Sequence, residues 1–217
     1  MPIPDEVVFG PNPDGTPFLY KDLRAANEDD RIAALRRRLD QWLIGQIDEL
    51  GMDSAQKKKV YSPFPLATMT CVAIETLGQV MYGARNREGE NRQKDCFVAV
   101  ARALDKNFSR QLNTTIKTQL ETRWKDKEVS KCSNAADLLY HFFRNSMIHA
   151  YRGHAVYLTE TDTQTWMFGD GCMLLNPYWF WEAYKIRYQE LFDEIALVNS
   201  RNPRRFSCIA YIDGLLK

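Results

Sequence analysis

Cysteine chemistry is scarce in this chain. Its five cysteines, at 71, 96, 132, 172 and 208, are odd in number, and no two lie closer than 25 positions. Without a CxxC pair, neither a zinc ribbon nor a thioredoxin-type motif is supported. They read as small apolar core residues of a protein in a reducing compartment. The start, MPIPDEVVFG, lacks the basic and apolar regions of a secretory signal. No uncharged apolar run reaches about 18 residues. The best stretch, Leu66 to Met81, carries Glu75, so no membrane span is expected and the expected location is cytoplasmic. Also missing are a Gly-rich phosphate loop, GxSxG, HExxH and a paired-carboxylate motif. That argues against an NTPase, an α/β-hydrolase and a zincin. Excess charge is missing too: the net of +1 argues against a histone-like protein that binds nucleic acid by bulk charge, though not against a local basic site.

What is present is ordinary globular material. The 217 residues are 45% hydrophobic and 26% charged, which argues against disorder. At about 150 residues per domain the length favours one domain. A chain of this mass buries about 70% of its surface, so no disulfide or metal staple is needed.

Residues 1–28 are expected to form an extended, Pro-rich N-terminal arm, with Pro2, Pro4, Pro11, Pro13 and Pro17. Residues 29–217 are expected to form a single, mostly α domain, a helical bundle. From Asp29, apolar residues at Ile32, Leu35, Leu39, Trp42, Leu43, Ile47 and Leu50 follow helical spacing, and Gly51 is placed to stop that helix. Leu66 to Tyr82 is apolar on most sides, as a central bundle helix is. Further helices are expected over about Gln93–Leu104, Ser109–Trp124 and Ala135–Ala150, the last capped by Ser133 or Asn134. Beyond Tyr151 the period becomes two. Ala155–Thr159, Thr165–Phe168 and Cys172–Leu175 suggest a small antiparallel β-hairpin or meander inserted at about 153–175. Asn176-Pro177 starts a helix to about Val198, and another covers about Pro203–Leu215.

Charge is unevenly spread. Residues 1–30 and 160–195 each carry a net of −5, which leaves a basic remainder of about +11. Arg36-Arg37-Arg38, Lys57-Lys58-Lys59 and the run from Arg201 to Arg205 are either solvated helix faces or one phosphate-contacting face.

The segment with the most chemistry is Phe142-Phe143-Arg144-Asn145-Ser146-Met147-Ile148-His149-Ala150-Tyr151, at the end of an apolar helix. Asn145 and His149 are i, i+4 and share a face. Arg144 lies about 140° from His149 on an ideal helix, so the two meet only through the long Arg side chain or a distorted last turn. The plain reading is that both satisfy the helix C-terminus. The other reading is a resemblance. Arg-Asn-x-x-x-His at a bundle-helix end resembles the Arg-x(4–6)-His motif of the HEPN superfamily, and Asn145 matches the polar residue that follows its Arg. Ala73 to Gly83 resembles an early bundle helix of bacterial HEPN-like proteins. The β segment and the Asn176-Pro177 helix resemble features of some members. The likeness covers about residues 66–195.

The resemblance implies a HEPN-like bundle and a metal-independent endoribonuclease without a cofactor, acting on RNA. It implies a homodimer with one composite site and a place in a toxin–antitoxin, phage-defence or stress system. An antitoxin or other inhibitor protein would be a partner, and no membrane is involved. Arg144, Asn145 and His149 would be the catalytic set. His149 titrates near neutrality. Arg144 stays charged and forks phosphate oxygens. Asn145 would orient His149 or bond the phosphate. Attack by the RNA 2′-hydroxyl on the adjacent phosphate needs a base and an acid, and a two-fold mate would bring the second His149. The alternative is a non-catalytic HEPN-like module that binds RNA, a nucleotide or a protein.

Tyr151 and Arg152 could extend a phosphate site. Glu75 is placed either to pair with Arg144 and hold it or to pair with another base. His141, His149 and His154 share no obvious ligand geometry, so no metal site is expected. Trp166, Trp179, Trp181, Tyr178 and Tyr184 read as core or a dimer face, less readily as a base-stacking platform.

Overall fold

Helical periodicity in the sequence becomes a bundle around one apolar helix. The computed structural model describes residues 3–56, 63–83, 92–125, 129–144, 155–159, 164–197 and 202–217. Helix α1 spans Tyr20–Ala25, α2 Glu28–Leu39, α3 Gly45–Gln56, α4 Pro63–Tyr82, α5 Gln93–Leu104, α6 Thr114–Trp124, α7 Ala135–Leu138, α8 Pro177–Ala196 and α9 Pro203–Leu215. The caps are those the side chains dictate. Asn27 accepts from Asp30 N, Asn134 from Asp137 N, Asn176 from Tyr178 N and Trp179 N, and Asn202 from Arg204 N. Each side chain takes up an amide the first turn leaves unpaired. Pro177 and Pro203 follow at the first helical positions.

Helix α4 is the hub and packs against α5, α8 and α9. It is long and apolar enough to cross a membrane by length and composition. Here Leu66, Ile74, Leu77 and Val80 are all fully or almost fully buried in the core. Gly78 sets its approach to α5, because a Cβ there would lie 2.5 Å from the Cys96 carbonyl oxygen. All five cysteines are free and buried.

Several elements differ from the sequence expectation. The helix begun at Glu28 opens into a π turn at Asp40–Ile44, then continues through Gly51 to Gln56. Gly51 therefore does not stop it; a glycine tolerates helical dihedrals as well as others. Of the Ser109–Trp124 stretch only Thr114–Trp124 is helical, as α6, because Asn113 caps it there; Ser109 ends a separate 3₁₀ turn at Lys106–Ser109. The arm is not extended. Strands β1 (Val8–Pro11) and β2 (Pro17–Leu19) form an antiparallel hairpin turned at Gly15, whose φ is +82°. Phe9 and Leu23 are fully buried, and the Phe9 ring meets Tyr20 edge-on at 5.4 Å. Burying two aromatics and a leucine outweighs the turn-prone composition.

After the motif come β3 (Val156–Leu158), β4 (Trp166–Gly169) and β5 (Cys172–Leu175), in the order β3-β5-β4. The antiparallel hairpin expected here exists as β4–β5, turned at Asp170-Gly171, but β3 pairs with β5 in parallel, so there is no meander. The inner face, including Val156, Met173 and Leu175, is buried.

The uneven charge of the sequence is largely matched in space. Asp193 in α8 takes Arg36 at 3.0 Å, Asp29 takes Arg205 at 2.6 Å, Glu194 pairs with Arg204, and Asp213 takes Arg31 at 3.2 Å. These bases do not form a single unpaired basic face. Lys57, Lys58, Lys59 and Arg201 lie outside the described residues.

Candidate functional site

The motif helix starts as α7 and widens into a π turn at Leu139–Arg144. A π turn adds one residue to a helical turn and rotates everything after it, and such turns are common at functional sites. Its effect here is to place Arg144 against α4. Arg144 Nε donates to Glu75 Oε2 at 2.8 Å, and Arg144 Nη2 donates to the same oxygen. Both side chains are about nine-tenths buried, at 10% and 11% exposed. The guanidinium carbon also lies 5.5 Å from the Tyr140 ring centroid, one turn back.

Glu75 is held from three elements. Its other oxygen, Oε1, accepts from Gln93 Nε2 at the start of α5 and from Gln79 Nε2, one turn along α4, at 3.4 Å. A buried carboxylate so bonded has both oxygens satisfied, which a desolvated charge requires. One turn before Glu75 on α4, the Cys71 thiol is fully buried. Desolvation pushes its pKa up; Arg144 pulls it down and Glu75 raises it further. Cys71 is therefore a poor nucleophile.

Of the expected site residues, the structure brings Arg144 and Glu75 together. Asn145, His149, Tyr151 and Arg152 lie outside the described residues, as does His154. The turn between Arg144 and His149, where a distortion would let the two share a face, lies outside the described residues; the π turn ends at Arg144. The network members the sequence reading missed are Gln79, Gln93 and Tyr140. Gln79 had a signal: it is the i+4 neighbour of Glu75 on an otherwise apolar helix. Gln93 had none, because only the α4–α5 approach brings it near.

Among the described residues, no group of three or more His, Cys, Asp or Glu could hold a metal. The aromatic group divides between two places. Trp181 and Tyr184 are buried and stacked at 5.2 Å, with Trp181 Nε1 donating to Asp48. Trp166 and Trp179 pack around Phe108. Comparison of the chain with protein-family models, curated proteins and solved structures found no match.

Proposed function

We propose that the protein is a metal-independent endoribonuclease of the HEPN type. The observation that carries this reading is the buried Glu75–Arg144 pair, set by a π turn at the residue where Arg-Asn-x-x-x-His begins. A pair this desolvated is weak evidence for stability, since apolar residues of similar volume do as well or better. Its position at the start of the motif fits a guanidinium locked in one orientation for recognition.

In the proposed reaction the 2′-oxygen of RNA loses its proton to a base and attacks the adjacent phosphorus. The bond to the 5′-oxygen breaks, and an acid protonates that oxygen. The products are a 2′,3′-cyclic phosphate and a 5′-hydroxyl. His149 and its copy in a two-fold mate supply the base and the acid. Arg144 supplies positive charge for the phosphorane. Asn145 orients His149 or bonds the phosphate, and Tyr151 and Arg152 extend the contact along the strand. Glu75 is a positioning residue, acting through Arg144. A toxin, phage-defence or stress role, with an antitoxin or other inhibitor, belongs to the same proposal.

The burial of Arg144 favours a second reading, in which the pair is structural and the protein is a non-catalytic HEPN-like module that binds RNA, a nucleotide or a protein. Total RNA incubated with wild type and His149→Ala, each with and without EDTA, separates the two. The ribonuclease reading expects cleavage by wild type in both conditions and none by His149→Ala. Intact RNA with a folded, dimeric wild-type preparation supports the binding module instead.

A further inference from the structure

At the other end of the motif helix a cleft of about 430 Å³ opens between the segment before α6 and strand β4. Ala135, the first residue of α7, lines it, and Arg144 lies nine positions on, roughly 12 Å along the axis. It is therefore separate from the Glu75–Arg144 pair. We infer that this cleft binds a nucleotide, with its phosphate at Arg110 and its base between the amides and the aromatic wall.

The cleft has three kinds of lining. One wall is apolar and half-buried: Ile116, Trp166 and Phe168, with the Trp166 ring backed by Phe108 at 4.8 Å. This gives a flat surface for a base. The second lining is amide. Asn107 and Gln111 face the cleft, and Asn107 Oδ1 is shielded from solvent and has no hydrogen-bond partner. A shielded acceptor without a donor is unusual in a folded protein. An amide that turns toward an entering base would find the donor it lacks, since base edges present N–H groups and acceptors together.

The third lining is cationic. Arg110 is exposed at the cleft, and among the described residues its guanidinium has neither an ion pair nor a hydrogen bond. It sits beside the N-terminus of the eleven-residue α6, which also favours an anion. The one acid in the lining is already committed. Asp105 Oδ1 accepts from Asn107 N at 2.7 Å and Oδ2 from Trp166 Nε1 at 3.1 Å, which fixes the wall and leaves Arg110 as the group for the phosphate. This inference does not rest on the ribonuclease reading.

The test uses the full chain carrying His149→Ala, so that no cleavage intervenes. AMP, UMP, adenosine, inorganic phosphate and a short single-stranded oligoribonucleotide are titrated by calorimetry and by tryptophan fluorescence. The expected result is saturable binding of a mononucleotide or of the oligonucleotide, weakened about tenfold by Arg110→Ala, the loss of one charge-assisted bond. Asn107→Leu is expected to weaken it too, while Arg92→Ala, at a separate cleft beside Tyr82, leaves it unchanged. Which probe binds tells whether the nucleotide arrives free or within a strand. The inference is overturned if no probe binds, if inorganic phosphate binds as tightly as AMP, or if folded Arg110→Ala and Asn107→Leu bind like their parent. Loss of RNA cleavage by wild type would leave it standing.

Discussion

Two arginines of this protein are equally buried, and their partners are not. Arg144 meets Glu75, and both side chains are shut away from water. Arg205 in α9 is 11% exposed, but its carboxylates, Asp29 and Glu28 at the start of α2, are 63% and 64% exposed. Arg205 Nη1 also donates to the Ile195 carbonyl at 3.2 Å. Its pKa is raised chiefly by the hydrogen bond to Asp29. The Arg205 contact is a clip between the first and last parts of the bundle, with its acids in solvent. The Arg144 contact carries two desolvation penalties and three supporting groups. A clip needs a charge at the surface. The core pair has both carboxylate oxygens bonded, and on the proposed function its task is orientation.

The largest expected effect follows from that difference. Glu75→Leu strands the Arg144 charge and is expected to destabilise the protein by about 3–5 kcal/mol. In a chain of this length that lowers Tm by roughly 10 °C. The double variant Glu75→Leu/Arg144→Met is expected to recover most of the loss. Denaturant melts of both check this, and a double variant as unstable as the single would break the contrast with Arg205.

Gly78→Ala attacks the same network indirectly. Its Cβ would meet the Cys96 carbonyl oxygen, so α4 and α5 must separate and Gln93 withdraws from Glu75. The expected loss is about 1–3 kcal/mol by the same melts; a neutral result would show that the helices have room to part. The clip comes next. Asp29→Ala is expected to cost about 1 kcal/mol or less, shrinking further in high salt. A loss as large as that of Glu75→Leu would erase the distinction between the pairs.

The smallest effect is one of pH. The Asp193 pKa is lowered, first by the hydrogen bond from Gln189 and then by that from Arg36. A depressed carboxylate pKa stabilises the fold above the unfolded value, about 4, and that contribution is lost as pH falls through the folded value. Acid titration of stability should therefore flatten slightly in Asp193→Asn on the acid side of pH 4. Superimposable profiles would remove Asp193 from the account.

Much of the helical frame was legible because long helices announce themselves by apolar spacing and by caps. Gln93–Leu104 and Pro203–Leu215 fall where the sequence placed them, and Asn176-Pro177 starts α8 as composition demands. Other features have no periodic signal. A π turn is one extra residue in a turn, too small to register in the pattern around Leu139–Arg144. Strand direction is nonlocal, so the parallel pairing of Val156 with Met173 could not be read from alternation. The N-terminal hairpin is short and bulged between Val8 and Gly10, and its apolar anchors, Phe9 and Tyr20, are too sparse to signal a strand. The Glu75–Arg144 pair was legible as one of two choices, since a lone acid on an apolar helix needs a base. Its support by Gln93 depends on packing between helices.

The central claim is that the buried pair serves the chemistry of the motif rather than the stability of the fold. The measurement that tests it most directly is the RNA cleavage rate, in EDTA, of the refolded double variant Glu75→Leu/Arg144→Met beside wild type at matched dimer concentration. The account predicts a wild-type rate unaffected by EDTA and a folded double variant that leaves the RNA intact. A double variant that cleaves at the wild-type rate, or a wild type that does not cleave at all, would contradict it.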